Sequence, residues 1–203
     1  RLPVIFPARP EPSLDPYLLG ILIGDGHLKH GVSVTTPDAE IVETLYRHAD
    51  TFGLSVRVEQ LTANAANTYH LVGRRGHHNA LIATLRALGV HGLGAAEKFL
   101  PDAYRCGSRE TRLAVLAGLL DTDGHLCRGT TFEFCSRSRR LADDVAFVAG
   151  SVGFLATRSR KEVGGVLYWR VHLSGDTDQV PTRVVRKQAA PRRQRKSVLR
   201  TGF

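Results

Sequence analysis

The sequence predicts an α+β fold made of two similar halves, and three observations carry that expectation. A short string recurs: Asp25-Gly26-His27-Leu28 returns as Asp123-Gly124-His125-Leu126. The flanking segments return in the same order, Leu18 to Gly24 matching Leu116 to Thr122, Ile41 matching Leu141, Gly53 matching Gly153 and Tyr69-x-Leu71 matching Trp169-x-Val171. Finally, helical and period-two hydrophobic patterns alternate within each half. The halves are therefore expected to be related by a pseudo-two-fold axis.

In the first half, Asp15-Pro16 starts a helix, with a capping side chain and a proline in the first turn, and an apolar run carries it to Gly24. Val32 and Val34 alternate with Ser33 and Thr35, as in a half-buried strand. Ile41, Val42, Leu45, Tyr46, Ala49 and Phe52 recur at helical spacing until Gly53 stops them. Leu54, Val56 and Val58 mark a second strand, Thr68 to Arg74 a third, and Asn79 to Leu88 a last helix. The second half repeats this order. Ser108 caps a helix through Leu120, Thr130 to Cys135 is a strand, and Ser138 caps a helix to Val152. Leu155 to Lys161 and Val166 to Ser174 form a hairpin around Gly164-Gly165. The expected boundaries are 1–107 and 108–187 for the halves and 188–203 for a basic tail.

Composition narrows the function. With 42% hydrophobic residues in 203, the chain supports an ordinary core without staples. No apolar stretch approaches the ~20 residues of a membrane span, and the proline-bearing start, with Pro3, Pro7, Pro10 and Pro12, lacks a signal-peptide core. An intracellular protein, cytoplasmic or nucleoid-associated, is expected. Cys106, Cys127 and Cys135 lack CxxC spacing, so neither a disulfide framework nor a Cys-based zinc site is expected. The formal charge of +9 points to an anionic partner, nucleic acid first. The chain contains no methionine and starts with Arg1, which is read as a lost start or as excision from a larger polypeptide.

The recurring aspartates are the informative feature. Asp25 and Asp123 each sit at the C-terminal end of an apolar helix, where the macrodipole disfavours a carboxylate by about 0.3–1 kcal/mol. Gly20 and Gly24 share one helix face, as do Gly118 and Thr122, so two such helices can approach closely and bring their aspartates together. Two unit charges ~4 Å apart repel by about 4 kcal/mol at an effective dielectric of ~20. Divalent cations remove that penalty, and carboxylate oxygens suit Mg²⁺. Metals held in this way can activate water and stabilise a leaving oxygen in phosphodiester cleavage.

Leu116-Ala117-Gly118-Leu119-Leu120-Asp121-Thr122-Asp123-Gly124 is similar to the LAGLIDADG motif, and Leu18 to Gly26 resembles a more divergent first copy. The two-motif chain resembles the DOD-type homing endonucleases, above all those carried inside inteins. The resemblance implies paired αββαββ half-domains packed through the motif helices, with a β-saddle over double-stranded DNA. It also implies a monomer with internal pseudo-symmetry and Mg²⁺-dependent double-strand cleavage at a long asymmetric site, leaving short 3′ overhangs. The metal carboxylates map onto Asp25 and Asp123, and the carbonyls of Gly24 and Thr122 are implied to face the metals. Asp121 is matched by Ile23 in the first copy and is not expected to be required for chemistry. Lys98, in Lys98-Phe99-Leu100-Pro101, matches an active-site lysine of the intein type, and Lys187 is its candidate partner in the second half. Arg1 and Phe203 do not match the residues that splicing needs, so self-splicing is not expected. His78-Asn79, which resembles an intein-ending dipeptide, lies mid-chain and is read as coincidence.

Strand alternation assigns Val32, Val34, Leu54, Val56, Val58, Tyr69 and Leu71 to the core of the first half. Ser33, Thr35, Ser55, Arg57, Glu59, His70 and Arg74 fall on the saddle. In the second half Phe132, Phe134, Trp169, Val171 and Leu173 face inward. Thr131, Glu133, Thr157, Ser159, Lys161, Arg170 and His172 face outward. Polar, arginine-bearing ribbons of this kind can read base edges in a major groove. The alternative function is a non-cleaving nucleic-acid-binding protein on the same scaffold, as in maturases or regulators. Retention of both aspartates argues against it, because carboxylates near phosphates weaken simple binding. A His-metal nuclease site at His77-His78-Asn79 lacks the ββα context that such a site needs.

Overall fold

The computed structural model describes residues 3–7, 10–60, 66–73 and 79–192. The first half runs α1 (Pro16–Gly24), β1 (Gly26–His27), β2 (Ser33–Thr36), α2 (Ala39–Thr51), β3 (Ser55–Gln60), β4 (Asn67–Val72) and α3 (Ala80–Ala87). A short α4 (Asp102–Arg105) leads to the second half, α5 (Arg109–Asp123), β5 (Gly124–Cys127), β6 (Thr131–Ser136), α6 (Arg139–Ser151), β7 (Leu155–Val163) and β8 (Val166–Ser174). Both halves therefore carry the expected αββαββ order. The strands form two antiparallel sheets of identical topology, β1-β2-β4-β3 and β5-β6-β8-β7. The residue pattern by itself did not mark β1, β5 and α4, which are two to four residues long and too short to show a period.

Local chemistry fixes the helix starts. Asp15 Oδ1 accepts the Leu18 N–H at 2.8 Å, and Ser108 and Ser138 accept the N–H groups of Thr111 and Leu141, each at 3.1 Å. Asn79 has an ordinary job as the cap of α3, accepting from Ile82 N–H at 3.0 Å. Its neighbours His77 and His78, like Arg74, lie outside the described residues.

The centre of the molecule is the α1–α5 pair. Both helices are buried all round, because each packs on its partner and also beneath its own sheet. Gly20 and Gly118 face each other at the crossing, where a Cβ on either would come within 2.9 Å of the other's Cα. Real side chains do not reach such distances, so only glycine permits this approach. The outer layers are α2 against β3 and β4, and α6 against β6, β7 and β8.

Most of the expected core is observed, including Val34, Leu71, Phe132, Phe134, Val171 and Leu173 at 2% exposure or less. Val58 is a correction, being 41% exposed. It lies on β3, which forms the edge of its sheet. Val56, Tyr69 and Trp169 are half-buried.

Candidate active site at the paired helix ends

The close crossing sets the geometry of the site. Helices brought together at Gly20 and Gly118 end side by side, so Asp25, the C-cap of α1, meets Asp123, the last residue of α5. The register continues to the tips, where a Cβ added at Gly24 would meet the Thr122 side chain and come within 3.5 Å of Asp123 Oδ2. Burial first, and the charge of Asp25 second, push the Asp123 carboxyl up to about 7. Asp25 has an open side, yet burial of its carboxyl raises it too, opposed by Lys187 and Lys98. Two carboxyls that resist ionising together are the signature of a shared, crowded anionic site.

The two sequence-predicted lysines converge on the same place. Lys98 Nζ donates to the carbonyls of Gly24, at 2.5 Å, and Gly26, at 3.1 Å. Lys187 Nζ donates to those of Leu120, Asp121 and Thr122 at 3.1, 2.7 and 2.8 Å. Each ammonium thus caps one motif helix, satisfying orphan carbonyls and answering the negative end of its macrodipole. Neither helix has a basic residue in its own last turn. The compensation comes from segments distant in sequence, a relation that helix-end rules do not reveal. Burial pulls both ammonium groups down from the usual lysine range, while the nearby aspartates hold them up. The carbonyls of Gly24 and Thr122, implied as metal-facing, are those that accept from the lysines.

Each lysine arrives on a strap that packs against the other half. The Lys98 strap is held by α6: Ser138 Oγ donates to the Lys98 carbonyl at 2.6 Å, and Asp144 accepts the Leu100 N–H at 3.0 Å. The Lys187 strap is held by α2: Arg186 pairs with Asp38 at 2.6 Å, and Glu40 accepts the Val185 N–H at 3.2 Å.

The expected saddle residues fall into cross-strand rows. Ser33, His70 and Arg57 are register partners across β2, β4 and β3. Glu133, His172 and Thr157 form the equivalent row across β6, β8 and β7, with Arg170 opposite Ser159 one step along. Thr35, Ser55, Arg57, Glu59, Thr157, Ser159 and Lys161 are exposed. His70, Thr131, Glu133, Arg170 and His172 are half-buried, and Glu59 Oε2 accepts from His70 Nε2 at 2.8 Å. Ser33 is only 8% exposed, a small residue between its register partners His27 and His70. Sequence reasoning omitted His27 and His125, which extend the rows by pairing with Ser33 and Glu133. The repeated Asp-Gly-His string was the signal for them, two residues past each aspartate.

Among the described residues no cluster of three or more His, Cys, Asp or Glu side chains is assembled. Two crowded carboxylates fit a hard cation that takes one or two carboxylates and completes its shell with water and phosphate oxygens, as Mg²⁺ does. They do not fit a closed structural metal site.

Residues 110–180 match the LAGLIDADG-like domain family. The homing endonuclease I-DmoI has a similar structure: a complex with DNA and Mn superposes with a TM-score of 0.55 at 13% identity, covering 79% of this chain and 88% of that one. The N-terminal LAGLIDADG domain of WhiA gives 0.53 at 9% identity, covering 83% of this chain and 79% of that one. The fold is the LAGLIDADG homing endonuclease fold, and the family match lies within the second half of the chain. Curated relatives include the replicative DNA helicase DnaB of Mycobacterium intracellulare, 33% identical over 150 residues, covering 74% of this chain and 21% of that protein. Another is a SufBD family iron-sulfur cluster assembly protein of Mycobacterium leprae, 30% identical over 195 residues, covering 86% of this chain and 21% of that protein. The chain spans about a fifth of the length of these relatives. No described helix is long and apolar enough to cross a membrane.

Proposed function

We propose that this chain is a site-specific, divalent-cation-dependent DNA endonuclease, borne by an intein and cutting both strands of a long asymmetric duplex target. The carrying observation is the symmetric convergence of Asp25, Asp123, Lys98 and Lys187 on two adjoining helix ends, each running directly into the first strand of its sheet. The intein reading rests on a second fact. Similar segments, each about a fifth of the protein, occur in a helicase and an iron-sulfur assembly protein, hosts with no activity in common. A segment shared by such hosts behaves as an insert.

Asp25 and Asp123 would hold Mg²⁺, with the carbonyls of Gly24 and Thr122 beside them. When bound, the metal supplies Lewis acidity toward water and the leaving oxygen. The protein's own share follows from the geometry. The sheet rows bind and orient the duplex, and their different composition makes the preferred target asymmetric: Arg57 offers donors where Thr157 stands, and Glu133 offers an acceptor where Ser33 stands. Lys98 and Lys187 hold positive charge at the helix ends, placed to stabilise phosphate charge as it develops. Both aspartates are retained, although their charges oppose phosphate binding, which favours cleavage over binding alone.

The test is incubation with a randomised duplex library and Mg²⁺, followed by sequencing of the ends. Ends clustering at one asymmetric sequence, and lost with a chelator, are the expected result. Intact DNA with Mg²⁺ and Mn²⁺ alike would overturn the reading.

A further inference from the structure

Asp121 is a fully buried carboxylate that the proposed chemistry does not use. Its counterpart in the first half is Ile23, also buried, so an apolar side chain suits this position of the helix pair. In Asp121 every polar contact converges on one oxygen. Oδ2 accepts the Tyr17 hydroxyl at 2.7 Å, the Arg183 N–H at 2.7 Å and the Val184 N–H at 3.4 Å. Oδ1 is buried with no partner among the described residues. Arg183 and Val184 open the strap that carries Lys187, and the Arg183 guanidinium lies over the Tyr17 ring at 3.8 Å. A few residues on, Lys187 Nζ returns to the backbone carbonyl of Asp121 itself. The contact is a closed loop: the side chain of Asp121 holds the strap, and the strap's lysine holds the helix end that includes Asp121.

We infer that Asp121 is a positioning residue that fixes Lys187 at the end of α5 by binding the Arg183-Val184 backbone, a role that Ile23 cannot play for Lys98, whose strap is held by Asp144 of α6 instead. Hydrogen bonds to a buried carboxylate are among the stronger local constraints, and these act at the start of the strap, apart from its contacts with α2. The consequence for cleavage rests on the endonuclease reading above, whereas the placement of Lys187 does not.

Labelling separates the two. Lys187 is 4% exposed, so an amine-acylating reagent followed by mass spectrometry should modify it slowly in the native chain. Asp121→Ile, the side chain of the first half, supplies an apolar core residue but releases the strap. It should speed Lys187 acylation by about tenfold or more while leaving Lys98 within about twofold. Asp121→Asn retains an accepting oxygen and should keep Lys187 protected. If Asp121→Ile does not fold, Lys98 will become reactive too. Asp121→Ala, which removes the same oxygen without adding bulk, then carries the test through a several-fold, Lys187-selective rise. On a supercoiled plasmid bearing the target, Asp121→Ile should accumulate nicked circles as Lys187→Ala does, and the double variant should add no further loss. A general weakening of the fold would slow both strands equally. Native-rate acylation of Lys187 in folded Asp121→Ile, or in Asp121→Ala if that variant carries the test, overturns the inference. DNA left uncut by the native chain would instead overturn the endonuclease reading, with the labelling result still deciding this one.

Discussion

The two motif helices end alike but are served by unlike straps. Each strap crosses to the opposite half and lands on equivalent positions of α2 and α6: Asp38, Glu40 and Thr44 receive one, Ser138, Arg140 and Asp144 the other. The chemistry at those positions has diverged. On α2 two acids take the Arg186 side chain and the Val185 N–H, and Thr44 accepts from Arg183 at 3.2 Å. On α6 a serine and an aspartate take backbone groups, and Arg140 covers the Phe99 ring at 3.9 Å. What has been kept is the outcome, an ammonium on the carbonyls of each helix end. Duplication therefore preserved the position of charge while the means of holding it drifted.

If the two ends are functionally equivalent, the lysines should break alike. Lys98→Ala and Lys187→Ala should each slow single-turnover cleavage by about 10²-fold, the size of one lost preorganised donor, with DNA affinity nearly unchanged. Strand-resolved kinetics check this. A large loss of affinity with normal cutting at saturation would make either lysine an anchor.

The crossing tests the symmetry structurally. Gly20→Ala and Gly118→Ala each place a methyl against the partner backbone, and overpacking of this kind costs about 1–3 kcal/mol. Denaturant melts should show similar losses for both, whereas Gly31→Ala, with open space around it, should change little.

The aspartate pair makes stability depend on pH and metal. Asp123 is pushed up to about 7 in the fold against 3.8 as its ordinary value, so the native state favours its protonated form. That contribution is fully present below about pH 4 and is lost as pH rises through about 7. Metal-free protein should therefore melt several degrees lower at pH 8 than at pH 5, and Mg²⁺ should raise the melting temperature more at pH 8. Equal Mg²⁺ effects at both pH values would remove the pair as a cation site.

The smallest effect sharpens the contrast between saddle faces. Arg57→Ala should reduce the slope of log affinity against log salt by about one, while Glu133→Ala leaves the slope alone and relaxes base preference. Binding titrations over a salt series read both.

Most of this architecture was legible because duplication made weak signals repeat. One Asp-Gly at a helix end is a turn, but two, with Gly20 and Gly118 at matching positions, describe a helix pair from the sequence alone. The alternation of the strand residues was legible through period two, and the register rows place those expected on the saddle opposite one another. The losses also have physical reasons. Val58 obeys the alternation but sits on an edge strand. His27 and His125 lie on strands too short to alternate. Asp121 read as dispensable because its role depends on Arg183 and Val184, residues joined to it only by the strap's return. Capping of both helix ends by Lys98 and Lys187 was hidden for the same reason, since tertiary contacts between distant segments leave no local pattern.

The central claim is that Asp25 and Asp123 form one reactive site, and the most direct measurement compares Asp25→Asn and Asp123→Asn on the selected target at saturating protein. Asparagine keeps the shape and removes the charge. Double-strand cleavage should fall by more than about 10³-fold in each, as expected when a group acting in the transition state is lost. Affinity should hold or rise as a negative charge leaves the phosphates. Double-strand cleavage at the native rate by either variant would contradict the account.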